Sequence, residues 1–269
     1  VTEFLWALRF LTIIPLSYNN GVELPPQRMG VAMSLFPVVG LLIGLILVLC
    51  YIPLVIIFPG GLADALIIVI FIVLTGALHL DGLADTADGI WGAWDAEKRL
   101  EIMKDSRTGT FGVVALLVVL GLKYLSFNGI EDHVVTTAAS AFASLSAYLP
   151  AGGFPAEKAT VLLLMPVMGR WAQTLAAGLY PYARDESGTA HGLVVNTQLR
   201  DAAVATAITV FLAGLLLGGT GLIIASVLAV AVFLQAFYIS SRTGGLTGDT
   251  LGAINEVTEL SFLLLFYVV

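Results

Sequence analysis

Residues 33–57 form a run without one charged side chain, and similar runs recur along most of the 269 residues. About 20 mostly apolar residues cross a bilayer as a helix, and in lipid each backbone N–H and C=O must be satisfied within the segment itself. Helices are therefore the only way such a chain can fold. Charged residues make up 12% of it, half of the roughly 25% usual in soluble domains. The chain reads as an all-α, polytopic integral membrane helical bundle, a single membrane-embedded domain over 1–269 with the lipid bilayer as its surroundings. A net charge of −7 and the lack of a basic stripe exclude nucleic acid as a partner. The one cysteine, Cys50, lies in an apolar run, which rules out an intrachain disulfide or a thiolate zinc site and reads as packing. No signal peptide is expected at the start. Residues 4–14 instead read as an interfacial amphipathic helix ending near Pro15.

Candidate spans are 33–57, 62–80, 110–127, 134–149, 158–179, 202–218, 221–240 and 258–269. Pro37 and Pro53 should bend the first, and the last is short unless its helix begins nearer Leu251. Gly40 with Gly44 and Gly214 with Gly218 have a spacing that lets helices approach closely. Segment 134–149, rich in Ala, Ser and Thr, decides sidedness. If it crosses, the loops holding Arg184, Arg200 and Arg242 fall opposite Lys98, Arg99, Lys104 and Arg107. If it does not, all of these share one face with Arg9 and Arg28, as the positive-inside rule prefers. That choice gives about seven transmembrane helices, a cytoplasmic N-terminus and an extracytoplasmic insertion over 128–157. In a cell's inner (cytoplasmic) membrane it places 81–109, 180–201 and 241–259 on the cytoplasmic face.

Three polar stretches interrupt this pattern. On a helix Asp81, Asp85 and Asp88 stand at i, i+4 and i+7 and share one face. Such a cluster repels itself unless solvated, protonated or bridged, and oxygen-only ligands suit Mg²⁺. The competing reading is a solvated acidic helix start, favoured by the helix dipole. In the second stretch Asp95, Glu97, Lys98, Arg99 and Glu101 read as the solvated face of a surface helix. Beyond them Lys104, Asp105, Ser106 and Arg107 precede a glycine turn that opens the next span. Two cations, a hydroxyl and helix-start N–H groups suit a phosphate, and Asp105 could accept a proton or bind metal. The third stretch runs from Arg242 through Gly244, Gly245 and Gly248 to Asp249, Glu256 and Glu259. Its glycines would let backbone N–H groups approach a diphosphate, and with the first stretch it suggests a shared metal and phosphate site; the competing reading is a plain flexible loop. Arg170, within a span, needs an anion, either a carboxylate or substrate phosphate. His79 reads as an interfacial hydrogen-bonding residue before a ligand, and His133 and His191 carry less weight still.

Carboxylates with Mg²⁺, cations and glycine-rich backbone at one rim imply phosphoryl transfer from a nucleotide-activated donor to an alcohol. Asp85-Thr86-Ala87-Asp88-Gly89 partly resembles the start of the CDP-alcohol phosphotransferase motif, but no Ala-Arg follows and no Gly-x3-Asp-x3-Asp completes it. That family stands second. A cation transporter would set its carboxylates near the bilayer midplane, whereas these clusters lie at span ends beside cations.

The whole chain more closely resembles the cobalamin synthase (adenosylcobinamide-GDP ribazoletransferase) family. The resemblance rests on Arg9-Phe10-Leu11-Thr12 with Pro15, on 78–89, on Ile102-Met103-Lys104-Asp105-Ser106-Arg107 with 109–112, and on 245–249 with Asn255-Glu256. It implies that α-ribazole or its 5′-phosphate joins adenosylcobinamide-GDP with release of GMP, forming adenosylcobalamin or its 5′-phosphate. Carried onto these positions, Asp81, Asp85 and Asp88 would bind Mg²⁺ with Asp249 or Glu256. Lys104, Arg107 and Arg242 would hold phosphates, with Arg170, Gly245, Gly248 and Asn255 also on the substrate side. Asp105 is the expected base, with Asp88 beside it in catalysis. A homo-oligomer is left open.

Overall fold

The computed structural model describes residues 1–15, 24–132, 156–183 and 189–269. Helix α1 (Thr2–Leu11) buries Ala7, Leu8 and Leu11 and exposes Arg9, the one-sided burial expected of an interfacial helix. The Ile13 N–H donates to the Leu74 carbonyl at 2.9 Å and ties its end to the bundle. The expected first span starts later than predicted. Residues 26–34 form a short helix, α2 (Pro26–Ser34), and α3 (Phe36–Ile57) begins after Leu35. Pro37 sits in the first turn of α3, where a missing N–H costs nothing, so it starts the helix instead of bending it.

The second expected span is broken. Helix α4 (Gly60–Leu74) and α5 (Leu78–Gly92) meet at an angle of 87°. The turn between them holds Gly76 at φ 61° and Ala77 at φ 56°, and a left-handed alanine is unfavourable enough that its surroundings must impose it. After α6 (Ala96–Ile102) come α7 (Thr110–Asn128), a 3₁₀ turn at 129–132, α8 (Ala156–Leu179) and α9 (Thr189–Asn196). Helix α10 (Leu199–Thr243) has 45 residues, about 68 Å if straight and twice the hydrocarbon core. It is not straight: Gly218 has φ 59° and ψ −137°, and a Cβ on Gly221 would strike the Ala213 carbonyl. The halves thus fold back on one another, as the separate segments 202–218 and 221–240 predict. The last helix, α11 (Gly248–Leu265), begins ten residues before the predicted 258.

Helix α8 is buried along almost its whole length, polar residues such as Lys158, Arg170 and Gln173 included, and forms the centre of the bundle. A Cβ on Gly40 or Gly44 would lie 2.6 Å from the Pro166 and Leu162 carbonyl oxygens, so α3 and α8 touch backbone to backbone and run antiparallel. By length and apolarity α3, α7 and α10 suffice to cross a membrane, with the bent α4–α5 pair as a fourth. The sequence reading of about seven crossings counts α10 twice and adds α8 and α11. Segment 134–149 lies outside the described residues. On either side of that gap Asn128 and Lys158 both reach the Asp64 carboxylate, at 2.8 Å each, so α7 ends and α8 begins at the same end of the bundle.

Candidate active site

At the opposite end, where α3, α7 and α11 begin, a cavity of about 250 Å³ opens between α1, α5, α8, α9 and α11. Asp81 and Asp249 both line it. Glycine brings them together: a Cβ on Gly82 would lie 2.6 Å from the Asp249 carbonyl oxygen, and one on Gly252 would lie 3.1 Å from that of His79. The backbones of α5 and α11 are therefore in contact, and the two glycine-acid stretches meet at one cavity. Asp81 is exposed and Asp249 half-buried. Thr247 caps α11 by accepting from the Thr250 N–H at 3.2 Å, and its hydroxyl donates to Asp249 at 3.3 Å. Gly248 also lines the cavity, as do His79, Phe10 and Gln173. Sequence reasoning missed Gln173. Its signal was an amide inside an apolar run, three residues after Arg170.

Helix α5 carries all three aspartates, yet the expected acidic trio is divided. Asp88 is buried and accepts the backbone N–H groups of Gly109 at 2.6 Å and Gly112 at 2.9 Å. It thereby caps α7, and the helix-start N–H groups expected to hold phosphate are satisfied by Asp88. Asp85 lies half-buried between these two sites. Glu256 is set inside the bundle, where Lys123 bridges it at 2.7 Å and Glu259 at 2.6 Å. Arg170 pairs with Glu259, approaches the His79 Nδ1 at 3.4 Å and lies over the Phe71 ring. Asn255 donates to Glu259 at 2.9 Å in the same buried cluster. Arg170 and Asn255 thus serve the core; of the two partners expected for Arg170, the structure provides a carboxylate. Among the described residues no group of three or more His, Cys, Asp or Glu is arranged to hold a metal ion. The five expected ligands do not converge; Asp81 and Asp249 do share a cavity.

The loop after α6 places Lys104 and Arg107 in solvent at the cavity's end of the bundle. Arg107 grips Asp105 through Nε at 3.0 Å and Nη2 at 2.6 Å. Its hydrogen bonds pull the Asp105 carboxyl down to about 2, which makes Asp105 a weak proton acceptor at neutral pH. Arg99, expected on a solvated face, is buried and donates to the carbonyls of Ala93 at 3.0 Å and Arg242 at 2.8 Å, fastening α6 to the end of α10. The Arg242 side chain lies over the Tyr238 ring, away from the cavity wall. Gly245 has φ 159° and packs against Pro181 and Ala183, so its bareness serves the Tyr182–Leu246 bridge. His191 stands edge-on to Tyr182, and His133 lies outside the described residues.

No solved structure matches this chain. The family model described as cobalamin-5-phosphate synthase matches residues 3–267. An adenosylcobinamide-GDP ribazoletransferase of Syntrophobacter fumaroxidans is 38% identical over 267 residues, covering 97% of this chain and 96% of its own. Enzymes of the same name from Acetivibrio thermocellus and a Thermoanaerobacter species are 36% and 34% identical, covering 96% and 99% of this chain and 94% and 97% of theirs. With a match from end to end by family model and relatives alike, the chain belongs to the cobalamin-5-phosphate synthase family.

Proposed function

We propose that the protein is an adenosylcobinamide-GDP ribazoletransferase. A ribose hydroxyl of α-ribazole, or of its 5′-phosphate, attacks the phosphorus attached to the cobinamide arm. The P–O bond to GMP breaks, GMP leaves with the bridging oxygen, and the hydroxyl proton is released. Adenosylcobalamin or its 5′-phosphate is the product. The observation that carries this reading is the meeting of Asp81 and Asp249 at one cavity through the Gly82 and Gly252 contacts.

Two carboxylates suit an ion that keeps several waters and takes its remaining ligands from substrate phosphates, which is how Mg²⁺ usually binds. Asp81 and Asp249 would hold it, and it would neutralise charge on the diphosphate and the departing GMP. Asp81, exposed on the cavity wall, is better placed than Asp105 to take the hydroxyl proton. Lys104 offers a cation at the same end of the bundle, Gly248 brings backbone close to the cavity, and Gln173 can hydrogen-bond substrate within it. Lys104, Arg107, Arg200 and Arg242 gather at this end while Lys158 lies at the other, which supports a cytoplasmic active site in the inner membrane. No feature of the cavity favours the CDP-alcohol reading.

The test is incubation of the detergent-purified protein with adenosylcobinamide-GDP, α-ribazole and Mg²⁺, followed by mass spectrometry. Equal amounts of cobalamin and GMP, lost on chelation, are expected. GMP without cobalamin would reduce the activity to hydrolysis and overturn the transfer reading.

A further inference from the structure

Helix α5 has a second working face. Leu83, Thr86, Ala87 and Ile90 lie on the side opposite its three aspartates, and with α7, the second half of α10 and α11 they enclose a cleft of about 350 Å³. The lips of the cleft belong to α7 and α10, which expose Leu117, Val118, Leu234 and Phe237. On membrane-spanning helices these side chains face lipid tails, so the cleft opens sideways into hydrocarbon.

Its lining is graded. Thr86 lines the wall with its hydroxyl oxygen buried beneath the surface of the cleft. Gln235 lines the wall, and Tyr238 lines it nearer the helix end. The Arg242 guanidinium lies over that ring, 5.2 Å from its centroid. Arg242 and Gln235 are seven residues apart, about 10 Å of helical rise. From the rim inward the cleft therefore offers a cation and an aromatic ring, and then an almost wholly apolar wall that includes Val119 and Val257. A phospholipid presents its phosphate and then its acyl chains in that same order.

We propose that this cleft binds one anionic phospholipid. Its phosphate meets Arg242, and an acyl chain lies between α7 and α10 against the apolar wall. The site lies across α5 from the Asp81 cavity and does not depend on the transferase reading.

Delipidated protein titrated with phosphatidylglycerol or phosphatidylcholine under native mass spectrometry tests it. One tightly held lipid per chain is expected, with phosphatidylglycerol preferred. Ala115→Trp, which fills the cleft, should lower its occupancy about tenfold, a loss of about 1.4 kcal/mol. Arg242→Gln, on an exposed side chain and so tolerated by the fold, should abolish the preference for phosphatidylglycerol. Unchanged preference in Arg242→Gln would overturn the proposal even if Ala115→Trp failed to fold. A protein dimer that covers the cleft and excludes lipid would overturn it too.

Discussion

Asp88 holds the first turn of α7 by two short hydrogen bonds from Gly109 and Gly112. Asp88→Ala would leave both N–H groups without a partner and should destabilise the protein by about 1–3 kcal/mol. The midpoint of thermal unfolding in detergent reads this out, and an unchanged midpoint would return Asp88 to the candidate metal ligands. Asp81→Asn and Asp249→Asn should instead leave that midpoint alone and lower turnover at least tenfold, about 1.4 kcal/mol of barrier. Arg107 sets the titration of Asp105. Its carboxyl lies below the ordinary value because Arg107 grips the charged form, so the contribution of that contact is present above the unfolded pKa and lost as pH falls through about 2. No acid limb of turnover above about pH 4 should come from Asp105. Arg107→Gln should raise its pKa toward the ordinary value, which carboxyl carbon NMR of labelled aspartate can follow.

At the scale of helices, bare backbone and buried charge do the joining. A side chain at Gly82 would collide with the Asp249 carbonyl and part α5 from α11. Gly82→Val should therefore abolish turnover, while Gly60→Ala, with nothing within 4 Å, should leave it unchanged. Lys123 ties α7 to both glutamates of α11, and Arg170 brings α8 to Glu259. Breaking such a buried network on one side costs about 3–5 kcal/mol. Lys123→Met should show that loss by thermal unfolding, and adding Glu256→Gln should recover part of it. This network explains what the sequence did not disclose. Glu256, Asn255 and Arg170 are polar residues in apolar helices, equally suited to a substrate or to one another, and spacing along a chain cannot tell which. Asp88 misled for a related reason: helical periodicity puts it on the face of Asp81 and Asp85, but the partner that claims it comes from another helix.

For the whole molecule, the apolar runs were legible because lipid admits one backbone solution. The break between α4 and α5 was not legible, since Ala77 carries no mark of a left-handed conformation. The arrangement of ends gives a direct test of orientation. With Cys50 replaced, single cysteines at positions 107 and 242 should react with an impermeant maleimide only from the cytoplasmic side, and one at position 61 only from the other. Labelling of 107 and 61 from the same side would overturn the topology. The turn at Gly218 adds a constraint on biosynthesis. Two spans joined through a single non-helical residue have no loop between them to pass across the bilayer separately. They must leave the insertion machinery as one paired unit, and their far end gives a protease or an antibody no loop to grasp.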